Sequence, residues 1–183
     1  MSKKITKLEA ASKQLETAIE LFFSQGDETA IHTLAAAAYE ILKDLSFKKR
    51  LSGIVKNKKL NQFILRNGPI GKKNANKIFS AANFFKHADI DPELSLEFDP
   101  DLTQVILYEA CRLHIILRGG SPVIDTMITW VLNAQYMHMQ EKEGSIPRPL
   151  DPEFDPSNKK KFLKILNWFK EKYAKEGTWQ SHA

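Results

Sequence analysis

Asn76, Ser80, Asn83 and His87 follow one another at spacings of four, three and four, which places them on one stripe of a helix. An amide and a hydroxyl can hold a polar ligand. A histidine at the helix carboxyl end, where the dipole favours its protonated form, can move a proton. The same spacing also describes an ordinary solvent face, or a histidine capping the last carbonyls. A second candidate is His32, with Tyr39 seven residues on and Ala36 between them. A lone histidine beside an apolar face is more often a hydrogen-bonded core residue. If its helix packs on the helix carrying His87, the two imidazoles and Asp89 would make a metal or acid–base site. The chain has no His-Glu-x-x-His spacing and no carboxylate–histidine ladder, so no metal and no cofactor are assigned. Glu109 and Arg112 lie one turn apart in the most apolar stretch, with His114 close by, and read as a buried ion pair or network. The stretch 68–73, Gly-Pro-Ile-Gly-Lys-Lys, lacks the spacing and the preceding strand of a phosphate loop. Lys72 and Lys73 nevertheless stand at a helix start, where outward N–H groups can take a phosphate.

Around His87 the run Ala82-Asn83-Phe84-Phe85-Lys86-His87-Ala88-Asp89-Ile90-Asp91 resembles the signature of the HEPN superfamily. That signature is an arginine, a polar residue, three variable residues and a histidine, often followed by acids. The resemblance implies an all-helical domain. It also implies either a metal-independent ribonuclease whose two motifs meet across a dimer, or an inactive relative that binds nucleotide or stabilises an assembly. Asn83 and His87 match their positions, and Ala82 stands where the arginine would be. By that resemblance His87 would be the general acid–base, Asn83 would position a phosphate and Lys86 would offset its charge. Lysine lacks the planar fork of arginine, and the missing arginine argues against nuclease chemistry. The same wording also resembles a set of bacterial proteins of unassigned function.

Charge distribution points the same way. From Phe47 to His87 there are eleven Lys or Arg and no acid, and from Asp89 to Asp101 six acids and no base, within a net charge of +5. A segregated basic stretch can meet RNA or a nucleotide, with Lys72, Lys73, Asn76 and Ser80 in contact. Alternatively the two stretches neutralise each other in the fold. A metal- or small-molecule-binding bundle using His32 and His87 is the further alternative. Trp130, Tyr136 and His138, with Met127, Met137 and Met139, share one helix and suit a core or a homodimer face.

The elements that position these residues are all helical. Apolar positions Ile5, Leu8, Leu15, Ile19 and Phe22 predict a helix over 5–25, ended by Gly26, with Asp27 capping the next. Ile31, Leu34, Ala38 and Leu45 predict the second, whose run Ala35 to Ala38 admits a close neighbour. A short helix fits 60–65, and a longer one 73–88. Leu94 to Phe98 alternates and suits extended chain. The stretch 102–117 is apolar nearly all round, as a central helix would be. Gly119 and Gly120 end it, and Ser121 with Pro122 starts a helix to about 140. Four prolines then precede a last helix over 157–174. The expectation is a single-domain all-α bundle of about six helices, with a core over 1–142 and a Pro-rich linker plus packed helix over 143–183. Cys111, the one cysteine, reads as a small buried hydrophobe in a reducing compartment. Nothing resembles a signal peptide or a membrane span, so the cytoplasm is the expected location.

Overall fold

The computed structural model describes residues 2–51, 72–87, 93–143, 155 and 157–176. The described residues form six helices and no strand: α1 Lys7–Phe23, α2 Glu28–Leu51, α3 Lys72–Phe84, α4 Asp101–Arg118, α5 Pro122–Glu143 and α6 Lys159–Glu176. The all-α expectation holds. None of these helices is long and apolar enough to cross a membrane. The short helix expected over 60–65 and the proline-rich linker lie outside the described residues.

Local chemistry sets the first two helices. Thr6 caps α1: its hydroxyl accepts the Glu9 N–H at 3.1 Å, and the Glu9 carboxylate accepts the Thr6 N–H at 2.8 Å, so two otherwise orphaned donors are paired. Leu15, Ala18 and Ile19 are fully buried on one face of α1, with Phe22 and Phe23 following at its end. The stop differs from expectation. Gly26 does not take the left-handed conformation; Gln25 does, at φ 57. The Gly26 N–H reaches back to the Leu21 carbonyl at 2.8 Å and the Gln25 N–H to that of Phe22 at 3.3 Å. This is a Schellman closure with glycine one place later than the position where its freedom counts. Asp27 then caps α2 as expected, its Oδ1 accepting the Ala30 N–H at 2.8 Å.

Four residues separate α1 from α2, so the two pack as neighbours, with Ala35, Ala36 and Ala38 all buried. Small side chains there let the helix axes come close. Against this pair lies α4, which touches α1, α2, α3 and α5 and buries Ile106, Leu107, Ala110, Cys111 and Leu113. It is the central helix that its all-round apolar sequence implies. Cys111 is 0% exposed and packs as the expected small hydrophobe. The Glu109–Arg112 pair is also present, at 2.7 Å. Burial lifts the Glu109 carboxyl above the ordinary range, with Arg112 opposing it.

Between α4 and α5 the chain turns on Gly119, at φ 95, and Gly120. A Cβ on Gly120 would lie 2.5 Å from Oδ1 of Asp125, so a larger residue there needs the Asp125 carboxylate to shift. Ser121 begins α5 as expected, its hydroxyl accepting the Ile124 N–H at 3.4 Å. The last helix, α6, packs on α5 and α1. Phe162 stacks on Phe23 with centroids 5.7 Å apart, and Trp130 meets Phe22 edge-on at 5.0 Å. Lys159 sits 3.8 Å over the Phe22 ring, and Lys170 pairs with Glu20. The side chains of Tyr136, Met137, His138 and Met139 lie outside the described residues.

Candidate functional site

Helix α3 packs on α2 and α4 through Ile78, Ala81 and Ala82, which are 0%, 5% and 1% exposed. Its other side presents Asn76, Lys77, Ser80 and Asn83 to solvent. The helix ends at Phe84, earlier than expected, and Lys86 and His87 follow in an exposed turn. Their N–H groups both return to the Asn83 carbonyl, at 3.1 and 3.0 Å. The stripe is therefore helical through Asn83, while His87 belongs to the turn that closes the helix. Ala82, where the resembled signature has arginine, faces the core. Lys86, one turn on, stands on the solvent side. The backbone of Lys72 and Lys73 opens α3, but their side chains lie outside the described residues, as does Asp89.

The two ends of the stripe have different surroundings. Asn76 and Ser80 line a cavity of about 420 Å³ with Lys77, Ala81 and the segment Leu96 to Asp99. That segment is the stretch expected to be extended, and it carries no regular structure. Asn83, Lys86 and His87 are not part of this lining. The cavity wall thus offers an amide, a hydroxyl, an ammonium and two carboxylates, from Glu97 and Asp99.

His32 forms the floor. It is 0% exposed, with Nδ1 at 2.9 Å from the Thr103 hydroxyl and Nε2 at 3.0 Å from the Ile78 carbonyl. The carbonyl can only accept, so Nε2 carries the proton and Nδ1 accepts from Thr103. Phe85 and Phe98 meet the ring edge-on at 5.9 and 5.0 Å. Burial holds its pKa below the ordinary value, with the Ile78 carbonyl opposing. His32 is thus a neutral tie between α2, α3 and α4, and both its nitrogens are in use. Tyr39 is buried away from this cavity, its ring 5.9 Å from Phe79, with its hydroxyl pushed up to about 12 by burial.

A second buried histidine escaped the sequence reading as a site. His114, expected near the Glu109–Arg112 pair, instead reaches Ser12 of α1 through Nε2 and the Gly119 carbonyl through Nδ1, both at 3.0 Å. Ser12 and His114 line a polar cavity of about 600 Å³ with Lys3, Glu9, Lys13, Glu16, Arg118, Gly120 and Ser121. No spacing signal could have found it, because Ser12 and His114 are 102 positions apart. Among the described residues no group of three or more His, Cys, Asp or Glu is placed to hold a metal ion. Compared with known proteins, the chain matches no family model, no curated protein and no solved structure.

Proposed function

We propose that this chain is a helical binding domain of HEPN-like type whose α3 face takes a nucleotide or a short stretch of RNA without cleaving it. The observation that carries the reading is the cavity beside α3, where Asn76 and Ser80 meet Glu97 and Asp99. An amide, a hydroxyl and two carboxylates suit the edge of a base and the hydroxyls of a ribose, which a carboxylate accepts well. The cavity is of the size that small ligands occupy. Lys77 in the same lining, with exposed Asn83, Lys86 and His87 further along the chain, supplies cationic and polar groups for a phosphate. Catalysis is left out because Ala82 turns into the core, so no cation stands at the position where the resembled ribonucleases place theirs.

Fluorescence anisotropy with a labelled single-stranded RNA, and competition by AMP, tests the reading. Saturable binding that weakens as salt rises, and weakens further in Ser80→Leu and Lys77→Glu, is the expected result. No binding, or binding indifferent to salt and to both substitutions, would remove it. A cleavage assay on the same RNA is expected to show no product.

A second reading, self-association, is favoured by Trp168, which is 56% exposed at the outer side of α6 and stacks edge-on with Phe169 at 5.0 Å. Exposed tryptophan is costly on a free surface and is enriched at interfaces. Light scattering should then report a dimer that Trp168→Ser dissociates; a monomer at all concentrations removes this reading.

A further inference from the structure

The cavity between α1 and the α4–α5 turn lies outside the proposed α3 site and is built differently. Its lining carries three cations, Lys3, Lys13 and Arg118, and two carboxylates, Glu9 and Glu16. Glu9 is committed to the α1 cap, accepting from both the Thr6 N–H and the Thr6 hydroxyl. Glu16 accepts from the Ser121 hydroxyl at 3.2 Å and keeps further acceptor capacity. On α5 the carboxylate next to this turn is Asp125, packed against Gly120 and outside the lining. The open charges are therefore mostly cationic, with one carboxylate among them.

The floor has an unusual hydrogen-bond count. Three contacts run in a chain: Gly119 carbonyl to His114 Nδ1, His114 Nε2 to Ser12 Oγ, and Ser12 Oγ to the Leu8 carbonyl at 2.8 Å. The two carbonyls at the ends can only accept. A neutral imidazole and one hydroxyl bring two protons to these three contacts. An imidazolium with the same hydroxyl brings three and fills them all. Burial opposes that charge and Arg118 opposes it too, while Gly119 and Glu16 favour it. An anion seated against Arg118 and Lys13 would offset the first pair of effects and draw the third proton in.

We propose that this cavity binds a small phosphomonoester bearing hydroxyl groups, of the sugar phosphate class, and that binding takes up a proton at His114. The phosphate faces Lys3, Lys13 and Arg118, and Glu16 accepts from the ligand's hydroxyls. The volume exceeds what a bare phosphate ion fills, which is why the polyol portion belongs to the proposal.

Isothermal titration calorimetry of the full chain with ribose 5-phosphate and glucose 6-phosphate, in buffers of different ionisation enthalpy near pH 7, tests it. At least one of the two esters is expected to bind, and ribose, glucose and inorganic phosphate to bind at least about tenfold more weakly. Lys13→Gln and Arg118→Gln each weaken that ester by about tenfold; both positions are exposed, so the variants should fold. His114→Gln, with folding checked by circular dichroism, takes up fewer protons on binding than the parent chain, a difference in which the ester's own titration cancels. Lys77→Glu leaves all of this unchanged, which separates the site from the α3 face. The proposal is overturned by absence of binding for both esters at millimolar concentration, or by equal affinity for inorganic phosphate. It is equally overturned if affinity is undiminished in Lys13→Gln and Arg118→Gln, or if proton uptake is identical with and without His114. Should His114→Gln fail to fold, the proton count is read instead from the pH dependence of the His114 ring signals with and without the ester.

Discussion

His32 and His114 are buried almost equally, at 0% and 2% exposure, and each is hydrogen-bonded through both ring nitrogens, although His114 ties α4 to α1 through Nε2 alone and bonds the turn that ends its own helix through Nδ1. They differ in what surrounds the tie. His32 has two partners that need two protons, and the edges of Phe85 and Phe98 close its sides. His114 sits in a chain of three contacts beside a wide polar cavity rimmed by charges of both signs. The first arrangement is complete in the neutral state. The second is complete only with one proton more. Two histidines with the same burial thus have different capacities to respond, and the partner count decides which.

Removing the rings should separate them most. His32→Ala leaves the buried Thr103 hydroxyl without its ring partner and removes the edge contacts to Phe85 and Phe98, and should cost about 3–5 kcal/mol in urea denaturation. His114→Ala opens onto a polar cavity where water can bond Ser12 and Gly119, so about 2 kcal/mol is expected. Equal losses would break the contrast.

Acid titrates both. Burial lowers each folded pKa below the ordinary 6.5, so the unfolded chain binds the proton more readily than the fold. Stability from these groups is therefore full above about pH 6.5 and is lost as the pH falls through 6.5 toward the lowered folded values. Thermal melts across pH 5 to 8 should show this fall. Saturating sugar phosphate should flatten the His114 share and leave that of His32.

The turn supplying the Gly119 carbonyl is the next place to press. Gly120→Ala drives a Cβ to within 2.5 Å of the Asp125 carboxylate and should cost about 1–3 kcal/mol. A smaller loss in the Asp125→Ala background, measured by the same denaturation, would locate the cost in that contact. The hydroxyl partners give the smallest expected difference. Thr103→Val strands the enclosed His32 Nδ1 and should cost about 1–2 kcal/mol, whereas Ser12→Ala, replaceable by cavity water, should cost less than about 1 kcal/mol.

Much of this frame was legible in the chain, because it depends on near neighbours. The apolar recurrence in α1 and α4, the Asp27 and Ser121 caps, the Gly119–Gly120 turn and the Glu109–Arg112 pair all act within one or two helical turns. The misplaced stop at Gln25 shows the margin of such reasoning: a glycine marks the turn, yet the left-handed residue is its neighbour. The α3 stripe shows another. Helical spacing holds for Asn76, Ser80 and Asn83, but His87 lies past the end of the helix, where that spacing no longer applies. The α3 cavity was legible in part, through Asn76, Ser80 and His32, but not what faces them, and the Ser12–His114 cavity not at all. His32 and Thr103 are 71 positions apart, and Asn76 meets Leu96 to Asp99 only through the packing of α3. Distances of that kind are set by tertiary packing, for which a single sequence has no periodic signal.

The α1–α2 pair has its own stop signal, a four-residue turn and its own start signal. Closing so short a loop loses little chain entropy, whereas bringing Thr103 to His32 or His114 to Ser12 closes loops of 71 and 102 positions. The order of folding should follow. The pair assembles early, and the two histidine ties close only when α4 docks. Kinetic φ-values near one at Ala18 and Ala35, and near zero at Thr103, would trace that sequence of events; the reverse pattern would place α4 in the nucleus. On this account the residues that respond to protons and ligands are also the last to lock, so the molecule's responsive contacts are separate from those that start its assembly.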